Sequence, residues 1–252
     1  MAENELLAAY KSVPIVTRSL LTATVVLSVS AAMQFLSPYL IMLDWPSIIY
    51  KFQIHRLLTS CFLTGLGFNM LFDLYFLYTY GVQLESTTYA GRSADFAWFI
   101  IFTSFTSAGA GYYFGFRTLF QSMLLAVIYL WSQANSERIV SFMFGIQFKA
   151  LYFPWVLVAY NFLLSGAVVP WNMLAGIASA HLYYFLESVY PARGGRRWIP
   201  TPFLLYKLLP PQEVAGAGFA AGGGTANVLR PTATTAAAEA AGHRWGRGER
   251  LG

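Results

Sequence analysis

A serine hydroxyl and a histidine base are the smallest kit for nucleophilic catalysis, and in this chain Ser122 and His181 are the residues that could supply it. The hydroxyl is a weak nucleophile unless the base lies within hydrogen-bond reach. A second kind of chemistry belongs to polar groups inside apolar runs. Asn69 and Asp73 are four residues apart and so share one helical face. An aspartate at mid-membrane costs about 2.5–3.5 kcal/mol on insertion scales, so it needs a partner or water. Two arrangements meet that need: a satisfied hydrogen bond between helices, or a wet cavity within the membrane. His181 and Glu187 lie in another apolar run, where ionisable groups face protein or water rather than lipid. For His181 a structural role and a cavity-lining role both fit. The pair His55-Arg56 opens a further run, where the guanidinium can anchor the preceding loop through carbonyls or headgroups. Metal chemistry finds no support, because His55, His181 and His243 are dispersed and lack a Cys or carboxylate constellation. The glycines at 222–224 precede neither strand nor helix, so they form no phosphate loop. Neither a metal nor a cofactor is expected.

The elements that must position these groups follow from composition. Of 252 residues, 57% are hydrophobic and only 11% charged, whereas soluble domains are charged at nearer a quarter of positions. The apolar residues come in runs of membrane-spanning length, which makes the chain an all-α polytopic membrane protein. A single cysteine, Cys61, allows no internal disulfide. The net charge of +5 speaks for membrane topology rather than for nucleic acid, since the basic residues are unevenly placed.

In chain order, residues 1–14 are polar and carry Glu3 and Glu5, unlike the basic start of a signal peptide, so an uncleaved first span is expected over 15–36. Residues 38–53 hold Trp45, Ile48, Ile49, Tyr50 and Phe52, too apolar for a solvated loop and suited to the membrane interface. Further spans are expected over 57–80, 95–114, 118–131 and 152–169, with Pro154 tolerated in a first helical turn. Between the fourth and fifth, residues 132–149 mix charges with Phe142, Met143, Phe144, Ile146 and Phe148, which suggests a second interfacial segment. The sixth span, within 171–191, is built of small residues: Gly176 and Ala180 lie four apart, as do Ala175 and Ser179. Such ridges let two backbones approach closely in lipid, so this helix is expected at the centre of the bundle, with Glu187 on the Gly176–Ala180 stripe.

Orientation follows from the cations. Lys11, Arg18, Arg92, Arg138, Lys149, Arg193, Arg196, Arg197 and Lys207 fall on one side of a six-span chain, against Lys51, Arg56 and Arg117 on the other. The excess places both termini in the cytosol. The expected organisation is a cytosolic N-terminus over 1–14, a six-span domain over 15–209 and a disordered cytosolic tail over 210–252. That tail is rich in Ala, Gly and Thr, and an aromatic and a leucine reappear only at its end, as in a docking peptide.

These features resemble the rhomboid superfamily, and within it the derlins. The stretches that carry the resemblance are FQIHRLLTS, FNMLFDLYFLYTYGVQLE, GRSADFAWFIIF, YFPWVLVAYNFLL, HLYYFLESVYP and GGRRWIPTPFLLYKLLP. Two departures stand out. His55 occupies the tryptophan position of the derlin Trp-Arg motif, while Arg56 is kept, and the Gly-x-x-x-Gly of the sixth span is Gly176 to Ala180. At the end of the tail, Trp245, Gly246, Gly248 and Leu251 resemble the SHP box by which some derlins recruit a cytosolic AAA+ ATPase.

The resemblance implies a rhomboid-like six-transmembrane-helix bundle with a membrane-embedded first loop. An active rhomboid needs serine in a Gly-x-Ser-Gly setting, yet Ser122 is surrounded by Phe120, Gln121 and Met123. The family's histidine stands three residues before the first packing glycine, where this chain has Met173. His181 lies about eight residues, or roughly 12 Å, further along the helix. The chain therefore reads as a pseudoprotease. The resemblance further implies residence in the endoplasmic reticulum membrane, and help in moving misfolded proteins to the cytosol through a half-channel and locally thinned bilayer. Asn69, Asp73, Ser122, His181 and Glu187 would then mark a polar path. The implied partners are misfolded proteins, a membrane ubiquitin ligase, the AAA+ ATPase and further copies or relatives of the chain, with no nucleic acid. Two other classes stay open: an active intramembrane serine protease, and a small-solute transporter, since buried charges also mark solute paths.

Overall fold

The computed structural model describes residues 10–65, 67–142, 145–194 and 198–210, together with Glu5 and Ala8. Helix α1 (Ile15–Ala32) is, among the described residues, the one helix both long and apolar enough to cross a bilayer, at a mean hydropathy of 1.6. The rest are shorter, save the 22-residue helix Ser93–Phe114, which is long enough but not apolar enough. After α1 the chain folds into two short helices, α2 (Pro38–Ile41) and α3 (Trp45–Lys51). Asp44 caps α3, accepting from the Ser47 N–H and hydroxyl, and those bonds, the hydroxyl's first, hold its carboxyl below the usual range. Trp45 and Ile48 turn inward onto the core while Tyr50 and Phe52 stay exposed. The first loop thus packs in part onto the bundle core.

The second expected span is not continuous. A single turn, α4 (His55–Thr59), gives way to irregular chain at 60–65 and 67 before α5 (Phe68–Gln83) begins. Gly67 sits at φ 115°, a conformation denied to residues with a side chain, and it breaks the helix there. The freed backbone is satisfied from outside, as the Leu119 N–H donates to the Ser60 carbonyl at 3.0 Å. Helix α5 then widens into a π-helical turn, Leu84–Thr88.

Helices α6 (Ser93–Phe114) and α7 (Phe120–Ala134) follow, then a hairpin of β1 (Ile139–Phe142) and β2 (Ile146–Lys149). The hairpin lies within the segment expected to be interfacial over 132–149, and its strand pairing is a feature that the sequence reading did not foresee. Its inward residues Val140, Phe142 and Phe148 alternate with exposed Ile139 and Ser141, the period of a half-buried strand. Helix α8 (Phe153–Leu164) carries Pro154 in its first turn, and α9 (Trp171–Tyr184) ends in a second π-helical turn, Phe185–Val189. A short helix, α10 (Phe203–Leu208), closes the described chain.

The bundle is centred on α7, where 12 of 15 residues are buried, not on the small-residue helix α9, where 6 of 14 are. Small residues let α9 press one face onto α7 and α6; they do not oblige its other face to be covered. Glu187 falls within the π-helical turn, where it is half-buried. Many large apolar side chains remain exposed on the outer faces, including Phe105, Tyr113, Leu163 and Leu164. A shell of this kind is expected where the surrounding solvent is lipid.

Candidate functional site

Asn69 and Asp73 meet a cavity of about 440 Å³ between α5 and α8, backed by α7. Helical spacing puts both on the face of α5 that turns to α8. Asn161 and Ser165 supply polar groups from the opposite wall, and Phe76, Phe142 and Tyr160 the apolar lining. Asp73 is only 8% exposed, and its carboxylate accepts from the Thr64 hydroxyl at 2.7 Å and from Gln121 Nε2 at 3.0 Å to both oxygens. Asp73 thus joins α5 to α7 by hydrogen bonds, and it also borders a cavity. Gln121 also borders a second cavity of about 390 Å³, lined by Ser28, Met42, Leu63 and Thr64. The Thr64–Asp73–Gln121 cluster therefore separates two spaces. The break before α5 makes it possible, because Thr64 reaches Asp73 only from a non-helical segment.

Ser122 and His181 are not brought together. The Ser122 hydroxyl is fully buried and donates to the Asn172 carbonyl at 2.6 Å. His181 is exposed on the outer side of α9, with Nδ1 and the Tyr129 hydroxyl 2.6 Å apart. Met173, buried, lines the cavity near Asp73. Glu187 lies beyond the cavity lining, so of the five polar-path residues the groove gathers Asn69 and Asp73 alone.

Gly176 is where α9 crosses α7. A Cβ placed there would lie 2.2 Å from the Ser122 carbonyl oxygen and 2.8 Å from its Cα, so the two backbones are in contact. Ala180, four residues on, is fully buried in the same seam, and Ser179 bonds Ser107 of α6 at 3.1 Å. The small-residue stripe is thus the joint that holds Ser122 in place.

In the first loop His55 is exposed, whereas Arg56 is 6% exposed and works as a clasp. Its guanidinium donates to the Tyr39 and Met42 carbonyls, the latter at 3.1 Å, and to Gln53 Oε1 at 2.6 Å. These are charge-assisted bonds to the backbone and side chain of the loop. Two further clasps were hidden in the sequence. The Glu85 carboxylate accepts the Val16 and Thr17 N–H groups at 3.0 and 2.8 Å, plus the hydroxyls of Thr17 and Ser93, so it caps α1 from 68 residues away. Asp95 accepts the hydroxyls of Thr201 and Tyr206, each at 2.6 Å, and pins α10 to the start of α6. Nothing in local spacing announces either contact; the one hint was a carboxylate next to an apolar run. Trp245, Gly246, Gly248 and Leu251 lie outside the described residues.

The model of the Der1-like family matches residues 13–203 of this chain. The chain is similar to Derlin-1 of Homo sapiens, at 36% identity over 253 aligned residues that cover 96% of each chain. It is 37% identical over 205 residues to Derlin-1 of Caenorhabditis elegans, covering 80% of this chain and 83% of the worm protein. Derlin-2.2 of Zea mays is 33% identical over 230 residues, 83% of this chain and 92% of its own. With the family match running from before α1 to the first residue of α10, and such relatives spanning nearly their whole length, this chain belongs to the Der1-like family.

Proposed function

We propose that this protein assists the retrotranslocation of misfolded proteins from the endoplasmic reticulum to the cytosol, as a pseudoprotease with six spans and both termini cytosolic. The observation that carries this reading is the α5–α8 groove, a polar-lined cavity in a bundle whose outer faces are apolar. A polypeptide segment entering from the lipid or the lumen would find amide and carboxylate groups on both facing walls, from Asn69 and Asp73 and from Asn161, with aromatic rings such as Phe76, Phe142 and Tyr160 among them. Short helices favour a thinned bilayer around the groove: α8 is 12 residues, roughly 18 Å. That is well below the ~30 Å of a hydrocarbon core, and bilayers thin to meet short helices. The separation of Ser122 from His181 supports the non-catalytic reading. Energy for extraction would come from outside, through an AAA+ ATPase bound at Trp245, Gly246, Gly248 and Leu251, with a membrane ubiquitin ligase as a further partner.

A photo-crosslinking residue in place of Asn161 tests the groove. In microsomes it should capture a misfolding variant of a luminal reporter and leave the folded form of that reporter uncaptured. Equal capture of both forms, or of neither, defeats the reading. Topology is checked with glycosylation acceptors: one near Lys51 should be modified, whereas one in the tail should stay bare.

A further inference from the structure

The hairpin leaves over hydrogen-bonding groups that the fold does not use. Its ladder pairs Val140 with Phe148 and Phe142 with Ile146, and the Ala150 N–H donates to the Arg138 carbonyl at 2.7 Å. In an antiparallel ladder, residues whose N–H and C=O face the partner alternate with residues whose groups face away. Arg138, Val140 and Phe142 belong to the first set. Ile139 and Ser141 belong to the second, so their N–H and C=O groups point to the open edge of β1. Among the described residues, no backbone group pairs with any of these four.

The edge is placed beside the groove. Ser141 and Phe142 of β1 line the cavity, whereas no residue of β2 does. Phe142 is locked among Phe76, Phe153 and Tyr160, with ring centroids 6.4, 5.9 and 5.8 Å away, so the strand is held rather than dangling. Ile139 and Ser141 are exposed. Phe153 at the start of α8 packs on Tyr80 near the end of α5 at 5.1 Å. The hairpin therefore sits at one end of the groove, and Asn69 with Ser165 at the other.

We infer that the open edge of β1 is a docking site for an extended stretch of polypeptide, which adds to the hairpin as a third strand. Lipid chains carry no N–H groups, and a helix has used its own. An extended chain offers an N–H and a C=O on the same edge at every second residue, about 6.8 Å apart, which is the repeat from Ile139 to Ser141. Binding through backbone groups does not depend on sequence, which suits a site that handles segments with no common motif. The inference rests on the reading of the groove as a substrate path, and it specifies where an emerging segment is held.

The test uses the full chain in microsomes and a tagged misfolding variant of a luminal protein of known sequence. Benzoylphenylalanine is placed at Ile139 or, separately, at Asn161, and both positions should capture the tagged substrate. Ser141→Pro removes one open-edge N–H and leaves the ladder N–H groups intact. It should lower capture at Ile139 about five-fold, the factor one backbone hydrogen bond is worth. Gln147→Pro puts the same ring on the far edge of β2 and should leave capture unchanged. Capture at Asn161 but not at Ile139 overturns the edge while the groove reading stands; capture at neither overturns both. Equal losses from the two proline variants mean that hairpin integrity is what counts, and a crosslink from Ile139 to a second copy of this chain makes the edge a self-pairing surface. Each of those results also overturns the inference.

Discussion

Replacing Gly176 with alanine should destabilise the protein, although alanine favours a helix over glycine by about 1 kcal/mol. The reason is the crossing with α7. The added methyl would sit 2.2 Å from the Ser122 carbonyl oxygen and 2.8 Å from its carbonyl carbon. Ordinary contacts begin near about 3.4 Å, so the helices must separate by roughly 1 Å. Backbone cannot swing aside as a side chain tip can. Overpacking of this kind costs about 1–3 kcal/mol, and rigid neighbours put it at the upper end. Separation would also stretch the Ser122–Asn172 bond, now 2.6 Å, and the Ser179–Ser107 bond, now 3.1 Å. The net loss should be about 2 kcal/mol, which corresponds to a melting temperature lower by roughly 4–8 °C for a domain of this size. Gly109→Ala is the paired control, because nothing lies within 4 Å of a Cβ at that position of α6. It should be neutral or stabilising by up to about 1 kcal/mol. Thermal unfolding of both variants in mild detergent, followed by fluorescence-detected size exclusion, makes the comparison. If the Gly176 variant melts with or above the wild type, the helices are not in backbone contact and the argument fails.

Arg56→Ala should release the first loop from its three carbonyl and amide acceptors, so substrate turnover should fall several-fold more than protein level; Arg56→Lys, unable to fork between them, should rescue only in part. Immunoblots beside a degradation chase separate the two quantities, and equal losses would mark the residue as purely structural. Glu85→Ala should leave two N–H groups at the start of α1 unsatisfied and cost about 2–3 kcal/mol, read as faster proteolysis near residue 15; wild-type protection would refute the capping role. Ser122→Ala should lose the bond to Asn172 and about 1 kcal/mol while biological activity persists, and a fluorophosphonate probe should label neither form. Labelling abolished by the mutation would restore a nucleophile.

The sequence by itself determined the family, the helical class and the groups with unusual chemistry. Those properties are written in local composition and in motifs: a polar pair four residues apart, a small-residue stripe, an arginine at the edge of an apolar run. It also made Met173 and the neighbours of Ser122 poor material for a catalytic dyad, since spacing along a helix bounds what two side chains can reach. Tertiary structure decided what those groups touch. Asp73 finds Thr64 because the chain unwinds before α5, and periodicity could not reveal that break. Glu85 caps a helix 68 residues away, and Asp95 holds Thr201 across 106, contacts that exist only once the helices are packed. The stripe on α9 predicted close approach but not the partner, and burial went to α7 instead, because coverage depends on how many neighbours surround a helix and not on the size of its own side chains. The hairpin's open edge is the clearest case: which backbone groups face the groove depends on strand register, and no residue type encodes that.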